Sequence, residues 1–130
     1  MQDILVLVID DDPVIARLVK LMLGIENYEV VTADSVAEAY AIMEVIIPHV
    51  ICCDLMMPDV NGLDFLEQRQ AMPAIADIPV VVISGVGKQD WFNRAKKLGA
   101  AICLAKPFSA KKLIGAIDFA LESSVETAVA

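Results

Sequence analysis

The sequence predicts an α/β fold in which five parallel strands form one sheet that is covered by helices on both faces, a doubly wound sandwich. Short apolar runs rich in Val, Ile, Leu and Cys alternate with segments of helical periodicity, as expected for strands buried on both sides. Polar residues end four of these runs, and ligands of parallel sheets bind at the carboxyl ends of the strands. These residues are Asp10 with Asp11, Asp54, Ser84 and Lys106.

The composition fits a single domain with a large core. The chain has 130 residues, 58% of them hydrophobic, and its mean hydropathy is +0.65. A membrane-spanning helix needs about 20 apolar residues, whereas the uncharged run Val45–Cys53 is far shorter and contains Pro48 and His49. The segment Met1–Asp3 lacks the basic region of a signal peptide. We therefore expect a cytoplasmic protein without a membrane segment.

The charge distribution is uneven. The formal net charge of −8 argues against direct nucleic-acid binding. Seven of the ten basic residues, but only four of the 18 acidic ones, follow residue 87. Solvated helix faces and a docking surface for a partner protein both explain this pattern.

The three cysteines are expected to be small buried hydrophobic residues in a reducing compartment. Cys52, Cys53 and Cys103 all fall inside predicted strands, and the first two should point to opposite faces of the sheet. A cysteine-based metal site is not expected, because the chain has neither a CxxC pair nor a partnering histidine. His49 is the only histidine, and its place after Pro48 indicates a turn or surface role.

The first βα unit is predicted from its capping residues. The strand covers Ile4–Ile9, Asp12 caps the helix and Pro13 is its first residue. This helix is expected to run to about Leu23 and to stop at Gly24. Apolar residues recur along this segment at helical spacing. They are Val14, Leu18, Leu21 and Met22.

The next three units follow from similar signals. The second strand is roughly Glu29–Ala33, and a capping box from Ser35 to Glu38 opens a helix that ends before Pro48. The later strands, loop and helices are predicted from apolar runs, glycines and prolines. They are the strand Val50–Cys53, the loop Leu55–Gly62, the helix Leu63–Met72, the strand Val80–Ile83 and the helix Gln89–Leu98, which ends at Gly99.

The fifth unit completes the domain. The strand Ala101–Ala105 precedes a helix that is capped by Ser109 and continues to about Ser123. We expect residues 1–124 to form the domain and residues 125–130 to be a frayed tail. Five right-handed βα units favour the strand order 2-1-3-4-5, which places the switch point of the sheet between Asp10 and Asp54.

The clustered charges point to a divalent cation and a phosphoryl group. Asp10, Asp11 and Asp54 carry −3 together, and crowded carboxylates raise one another's pKa unless a cation neutralises them. Mg²⁺ suits a site with few carboxylates, some waters and a phosphate. With Mg²⁺ and Lys106 present the charge of the cluster is zero, so a phosphoryl group can approach.

Asp54 is the candidate nucleophile, because an ionised aspartate can form an acyl phosphate without a separate base. The metal and Lys106 would stabilise the transferring oxygens, and the Ser84 hydroxyl would hydrogen-bond the attached group. Each residue alone has an ordinary explanation as a helix cap, a turn or a loop residue. Their joint position at four strand ends is what favours phosphoryl chemistry.

The chain resembles the receiver domain of two-component response regulators, the CheY-like family, over about residues 3–123. Four segments carry the resemblance, and they coincide with the strand ends described above. They are Ile4–Pro13, Asp54–Gly62, Val82–Gly85 and Lys106–Phe108. The resemblance implies a flavodoxin-like fold and a place in a two-component system or phosphorelay.

The resemblance also implies roles for individual residues. Asp54 would accept a phosphoryl group from a histidine on a kinase or a phosphotransfer protein. Asp11, Asp54 and the backbone carbonyl of Met56 would bind Mg²⁺, with Asp10 acting through water. Ser84 would be the switch hydroxyl and Lys106 the phosphate-binding lysine, and the bond before Pro107 would be cis.

Two positions depart from the family pattern. Cys103 stands three residues before the lysine, where the family usually has Tyr or Phe, so the output signal would rely on Ser84 and the loop after it. Gly85 replaces the usual Ala, which predicts a more open site and a more mobile loop.

The face formed by the fourth helix, the fifth strand and the fifth helix is the expected output surface. It would include Trp91, Cys103, Lys96 and Lys97. The adjacent Trp91 and Phe92 cannot both face the core, so one of them is either an exposed contact or partly buried. Phosphorylation would change this surface for an unidentified downstream protein or for a dimer.

Two other functions remain as alternatives to a phosphoacceptor signalling domain that is not itself an enzyme. One is a magnesium-dependent phosphatase with an aspartyl intermediate. Enzymes similar to the haloacid dehalogenase family carry a second Asp two residues after the nucleophile, where this chain has Met56. The other is a pseudo-receiver that acts as a scaffold without phosphorylation, against which the intact set of site residues argues.

Overall fold

The five predicted strands form one parallel sheet in the order β2-β1-β3-β4-β5, which confirms the predicted fold and strand order. The computed structural model describes residues 3–57, 60–85 and 89–129. Of these, Gln89 and residues 124–129 are described by their backbone alone. Pro58 and Asp59 of the predicted loop, and residues 86–88 before the fourth helix, lie outside the described residues. The strands are β1 (Leu5–Ile9), β2 (Glu29–Ala33), β3 (Val50–Asp54), β4 (Val80–Ser84) and β5 (Ile102–Ala105).

One helix follows each strand and carries the chain back across the sheet, so all five strands run in the same direction and end at the same edge. The register pairs Ile9 with Cys53, Asp54 with Ile83, and Ser84 with Ala105. The strand ends that carry the polar residues therefore lie side by side at the carboxyl edge. The helices are α1 (Pro13–Gly24), α2 (Val36–Met43), α3 (Gly62–Arg69), α4 (Gln89–Lys97) and α5 (Ala110–Val129).

The core has two layers, one on each face of the sheet. The layer under α2, α3 and α4 contains Cys53 and Phe65, and the layer under α1 and α5 contains Cys52 and Ile117. Adjacent Cys52 and Cys53 thus point to opposite faces, as predicted from the two-residue period of a strand. All five residues of β3 are buried, and this central strand fixes the position of Asp54.

Capping residues define the helix starts as predicted. The Asp12 carboxylate accepts a hydrogen bond from the Val14 N–H at 2.9 Å. The Ser35 hydroxyl accepts one from the Glu38 N–H at 3.1 Å, while the Glu38 carboxylate accepts from the N–H of Asp34. These bonds satisfy N–H groups that the first helical turn leaves without intrahelical partners.

The helix α1 is confirmed, but most of the apolar residues that indicated it do not form its buried face. Ala16, Val19 and Leu23 are buried, whereas Val14, Leu18 and Leu21 are exposed. Both sets recur at helical spacing, because α1 is apolar around most of its circumference, so periodicity alone could not select the face that packs.

Three helix ends also differ from the prediction. Gly24 is still helical, and Asn27 takes the positive φ of 65° after α1. Helix α3 ends at Arg69 rather than near Met72, since i→i+3 turns replace the helix there. Helix α5 continues to Val129 rather than ending near Ser123. Within the described residues, we find no helix of the length and apolarity that crossing a membrane requires.

Candidate functional site

Three carboxylates converge at the carboxyl edge of the sheet. Asp10 directly follows β1, and Asp54 is the last residue of the neighbouring strand β3. Each of Asp10, Asp11 and Asp54 offers an oxygen, and these oxygens all lie within 4.8 Å of one another. Asp10 and Asp54 are only 4% and 5% exposed, while Asp11 is exposed. The cluster therefore has two fixed carboxylates and one that faces solvent.

Lys106 joins the two buried carboxylates. Its Nζ lies 3.4 Å from Asp10 Oδ2 and 3.4 Å from Asp54 Oδ2. At this distance and an effective dielectric constant of about 20, each attraction is worth roughly 5 kcal/mol before the cost of desolvation. The Lys106 N–H donates to the Ser84 carbonyl at 2.8 Å, so the backbone that carries the lysine is tied to the end of β4.

Backbone amides hold the other carboxylate oxygens. The Asp12 N–H donates to Asp10 Oδ1 at 2.9 Å, and the Met56 N–H donates to Asp54 Oδ1 at 3.2 Å. Burial is the main cause that raises the pKa of Asp10 above its usual value of 3.8, and the charge of Asp54 adds to it. The Asp12 N–H and Lys106 act in the opposite direction. A cation at the cluster would remove the cost of these neighbouring negative charges.

Gly62 fits against the end of β3, a role that the sequence analysis missed by treating this residue as loop punctuation. A Cβ at position 62 would lie 2.6 Å from the Asp54 carbonyl oxygen and 2.9 Å from Leu55 Cα. Both atoms belong to the backbone and cannot rotate away. A residue without a side chain therefore allows α3 to begin beside the candidate nucleophile.

The remaining predicted site residues lie at the same edge. Ser84 is buried as the last residue of β4, and the Lys106–Pro107 peptide bond is cis. A Cβ added at Gly85 would lie 3.7 Å from Lys106 Cδ, an ordinary van der Waals distance. An alanine would therefore fit at position 85, and the missing methyl group leaves that space beside Lys106 open.

The donor set fits a magnesium ion. Three carboxylate oxygens converge from one side, and hard oxygen ligands of this kind suit Mg²⁺, which usually keeps several waters. A groove of about 460 Å³ adjoins Asp10 and Asp11, between α1 and the segment from β2 to α2. The cluster is therefore open to solvent on this side.

Of the two alternatives for the adjacent aromatic residues of α4, the structure shows partial burial. Trp91 and Phe92 are both half-buried against the core layer that contains Phe65. The Arg94 guanidinium lies 5.0 Å from the centre of the Trp91 ring and covers part of it. The half-buried Cys103 thiol donates to the Phe92 carbonyl at 3.8 Å, which links β5 to α4. Of the predicted output residues, Lys96 and Lys97 are exposed.

An apolar stripe on α1 is a second feature that the sequence analysis missed. Val14, Leu18, Leu21 and Ile25 are 71%, 43%, 62% and 79% exposed. Their spacing places them along one side of the helix over about 16 Å. The stripe begins close to the acidic cluster, because α1 is capped by Asp12, whose N–H donates to the Asp10 carboxylate.

His49 has a structural role that its position before a strand did not reveal. Its Nδ1 accepts a hydrogen bond from the Leu5 backbone N–H at 2.9 Å, and the backbone N–H of His49 donates to the Leu5 carbonyl. These bonds join β1 to the residue that precedes β3, at the sheet edge opposite the acidic cluster. The three cysteines are free thiols.

Known proteins share both the sequence pattern and the fold. A family model described as the response regulator receiver domain matches residues 6–118. The chain is 32% identical over 108 residues to the transcriptional regulatory protein KdpE of Staphylococcus aureus, which covers 83% of this chain and 46% of KdpE. It is 25% identical over 116 residues to the phosphate regulon regulator PhoB of Pseudomonas aeruginosa, covering 89% and 51%. The chain thus spans about half the length of these relatives.

A solved structure of similar length agrees with these sequence matches. The chemotaxis protein CheY4 of Vibrio cholerae superposes with a TM-score of 0.87 at 27% identity, covering 92% of this chain and all of that one. Five parallel strands in the order 2-1-3-4-5, covered by five helices, are the CheY-like, flavodoxin-like fold. The chain belongs to the response regulator receiver domain family of two-component systems.

Proposed function

We propose that the chain is a phosphoacceptor switch in which Asp54 receives a phosphoryl group from a phosphohistidine. The observation that carries the proposal is a buried Asp54 carboxylate 3.4 Å from the Lys106 ammonium, in a cluster with Asp10 and Asp11. A lysine beside the buried aspartate, and two further carboxylates that can hold a cation, supply the positive charge that phosphoryl transfer to that aspartate requires.

In the proposed reaction, an Asp54 carboxylate oxygen attacks the phosphorus atom of the donor. The P–N bond to the donor imidazole breaks, and the bonding electron pair remains on the imidazole nitrogen. No base on this chain is needed, because Asp54 reacts in its ionised form. Lys106 and the Ser84 hydroxyl then hold the phosphoryl oxygens. The protein acts as an acceptor in this reaction and not as an enzyme with a separate substrate.

The residues that would hold Mg²⁺ are Asp10, Asp11, Asp54 and the Met56 carbonyl. When bound, the ion offsets the negative charges of the carboxylates and of the phosphoryl oxygens. Asp10 and Asp54 are kept in place for this role by the amides of Asp12 and Met56.

The proposed phosphoryl donor is a histidine kinase or a histidine phosphotransfer protein that contacts α1. The apolar stripe on α1 supports this proposal, since large exposed apolar patches mark interaction sites and this one starts three residues after Asp11 of the acidic cluster. A donor must cover the surface around Asp54 to deliver its phosphoryl group, and the stripe extends that surface.

The proposed output is a change of the face formed by α4, β5 and α5. Exposed Lys96 and Lys97 in the last turn of α4 give this face a positive charge, which suits an acidic downstream protein or a second copy of the chain. KdpE and PhoB are described as transcriptional regulatory proteins. For this chain we propose regulation through protein contacts and no direct contact with nucleic acid.

We place this activity in the cytoplasm. The three cysteines are free, and Cys52 and Cys53 are fully buried. Unpaired cysteines are typical of proteins in a reducing compartment.

Intact-mass measurement after incubation with Mg²⁺ and acetyl phosphate tests the proposed function. We expect one phosphoryl adduct that hydroxylamine removes, no adduct on Asp54→Asn, and the wild-type adduct on Asp64→Asn, which changes an exposed carboxylate on α3. An adduct that persists on Asp54→Asn would contradict the assignment. Absence of any adduct, even with phosphohistidine donors, would favour a scaffold that works without phosphorylation.

A further inference from the structure

Two side chains from the end of α3, Arg69 and Gln70, hold the C-terminal end of α4 by hydrogen bonds, an arrangement that we call the clasp. Gln70 Nε2 donates to the Leu98 carbonyl at 2.7 Å, and Arg69 Nη2 donates to the Gly99 carbonyl at 3.0 Å. Arg69 Nη1 donates in addition to the Ala76 carbonyl. Arg69 is only 4% exposed, so its guanidinium is a fixed group and not a mobile surface cation.

Backbone hydrogen bonds within the chain segment of α4 also stabilise this end of the helix. The Ala100 N–H donates to the Ala95 carbonyl at 3.0 Å, and the Gly99 N–H donates to the Lys96 carbonyl at 3.0 Å. With Gly99 at a φ of 102°, this is the Schellman arrangement of a helix end. Ala95 is fully buried, which anchors the helix one turn earlier. The carbonyls of Leu98 and Gly99 point away from the helix and are the ones that α3 holds.

The N-terminal end of α4 is linked to the phosphoacceptor site. Ser84 ends β4, and Gln89 begins α4 only five residues later. Phe92, in the first turn, receives the Cys103 thiol contact at 3.8 Å, which is long and weak for a hydrogen bond. The first turn of α4 is thus close in sequence to Ser84, while hydrogen bonds from Arg69 and Gln70 hold the end of the helix.

We propose that Arg69 and Gln70 form a pivot that holds the C-terminal end of α4, so that phosphorylation tilts the first turns of the helix about this end. The proposal rests on the proposed function, because the change at Ser84 starts from a phosphoryl group on Asp54. The pivot converts a small displacement at the site into a larger one around Trp91, while Lys96 and Lys97 keep their positions. Arg69 and Gln70 are positioning residues in this account and do not contact the phosphoryl group.

Hydrogen exchange of α4 in the unphosphorylated protein tests the clasp itself. Gln70→Ala removes one hydrogen bond to the helix end, and Gln68→Ala is the matched control, because the exposed Gln68 instead accepts from the Tyr40 hydroxyl on α2. We expect the Gly99 and Ala100 amides to exchange roughly two- to tenfold faster in Gln70→Ala, the factor that corresponds to one net hydrogen bond. Gln68→Ala should leave both amides unchanged.

A second variant tests the Arg69 half of the clasp without removing the buried arginine. Gly99→Ala places a Cβ 3.2 Å from Arg69 Nη2 at a residue with positive φ. We expect it to accelerate exchange at Ala100 by at least as much as Gln70→Ala. Unchanged exchange in both variants would overturn the clasp.

The phosphorylated arm uses the same proteins with Mg²⁺ and acetyl phosphate, and intact mass reports the adduct in each sample. In the wild-type protein we expect altered exchange for residues 90–93 and unaltered exchange for residues 95–100, with a change in the fluorescence of Trp91, the only tryptophan. In Gln70→Ala the altered exchange should extend to the helix end, with the same amount of adduct.

The two proposals fail in distinguishable ways. Normal adduct formation with uniform exchange changes along α4 in the wild-type protein would overturn the pivot and leave the phosphoacceptor role intact. Adduct formation in which Gln70→Ala behaves as Gln68→Ala would also overturn the pivot. If no protein acquires an adduct, the phosphoacceptor role fails and the pivot fails with it as a regulatory device.

Discussion

Magnesium should stabilise the folded protein through the acidic cluster, and the size of the effect can be predicted. The three carboxylate oxygens within 4.8 Å of one another exist as a set only in the folded chain. Binding to the folded state alone adds about 2.7 kcal/mol to the free energy of unfolding at a concentration of a hundred times Kd. Each further tenfold rise in Mg²⁺ adds about 1.4 kcal/mol. For a domain of this size the first increment corresponds to a rise in Tm of roughly 10 °C.

The magnesium effect should depend on pH through Asp10. Burial raises the folded-state pKa of this residue above 3.8, so folding takes up a proton between the unfolded and folded values. Without Mg²⁺, the contribution of Asp10 to the free energy of unfolding therefore falls as pH rises through its folded pKa. The bound proton competes with the metal, so the increment from Mg²⁺ should be full at neutral pH and shrink as pH falls through that pKa.

Urea denaturation at constant ionic strength, with and without MgCl₂, measures this increment. Asp11→Asn should lose most of it, because the variant removes the exposed ligand without disturbing the buried pair. Asp64→Asn, which alters an exposed carboxylate outside the cluster, should retain it. An equal increment in wild-type protein and Asp11→Asn, or an increment that grows as pH falls, would refute the reasoning.

Three further predictions address the packing and the surfaces of the domain. Gly62→Ala should lower the free energy of unfolding by about 2 kcal/mol or more, because its Cβ would meet backbone at 2.6 Å; an unchanged urea midpoint would contradict this. Leu21→Glu should slow phosphotransfer from a histidine donor at least tenfold while acetyl phosphate reacts normally, and equal slowing with both donors would show that the stripe is not a docking surface. Charge reversal of Lys96 and Lys97 should weaken a downstream partner in a pull-down without reducing the phosphoryl adduct, and unchanged binding would exclude this part of the output face.

The sheet and its carboxyl edge could be predicted because both follow from local pattern. Each strand is a continuous apolar run, and each of Asp54, Ser84 and Lys106 marks the point where a run stops. Once the strands are parallel and in order, the polar residues have to meet. Caps such as Asp12 and Ser35 were readable for the same reason, since their hydrogen bonds reach only two or three residues along the chain.

Features that depend on distant contacts could not be predicted. Arg69 is buried because carbonyls from two loops, at Ala76 and Gly99, come within reach of one guanidinium. The choice between exposure and partial burial of Trp91 and Phe92 depended on the Phe65 layer, against which both pack, and on Arg94, which covers part of Trp91. No pattern within α4 reveals these contacts. The choice of the buried face of α1 likewise depended on which of two apolar faces fits the sheet.

Locating the phosphoryl group on the chain tests the central claim most directly. Borohydride reduction of the acetyl phosphate-treated protein converts an aspartyl phosphate to homoserine, and peptide mass spectrometry then identifies the residue. The account predicts homoserine at position 54 alone, formed only when Mg²⁺ is present. Homoserine at Asp10 or Asp11, or a phosphoryl group on a serine, would contradict it.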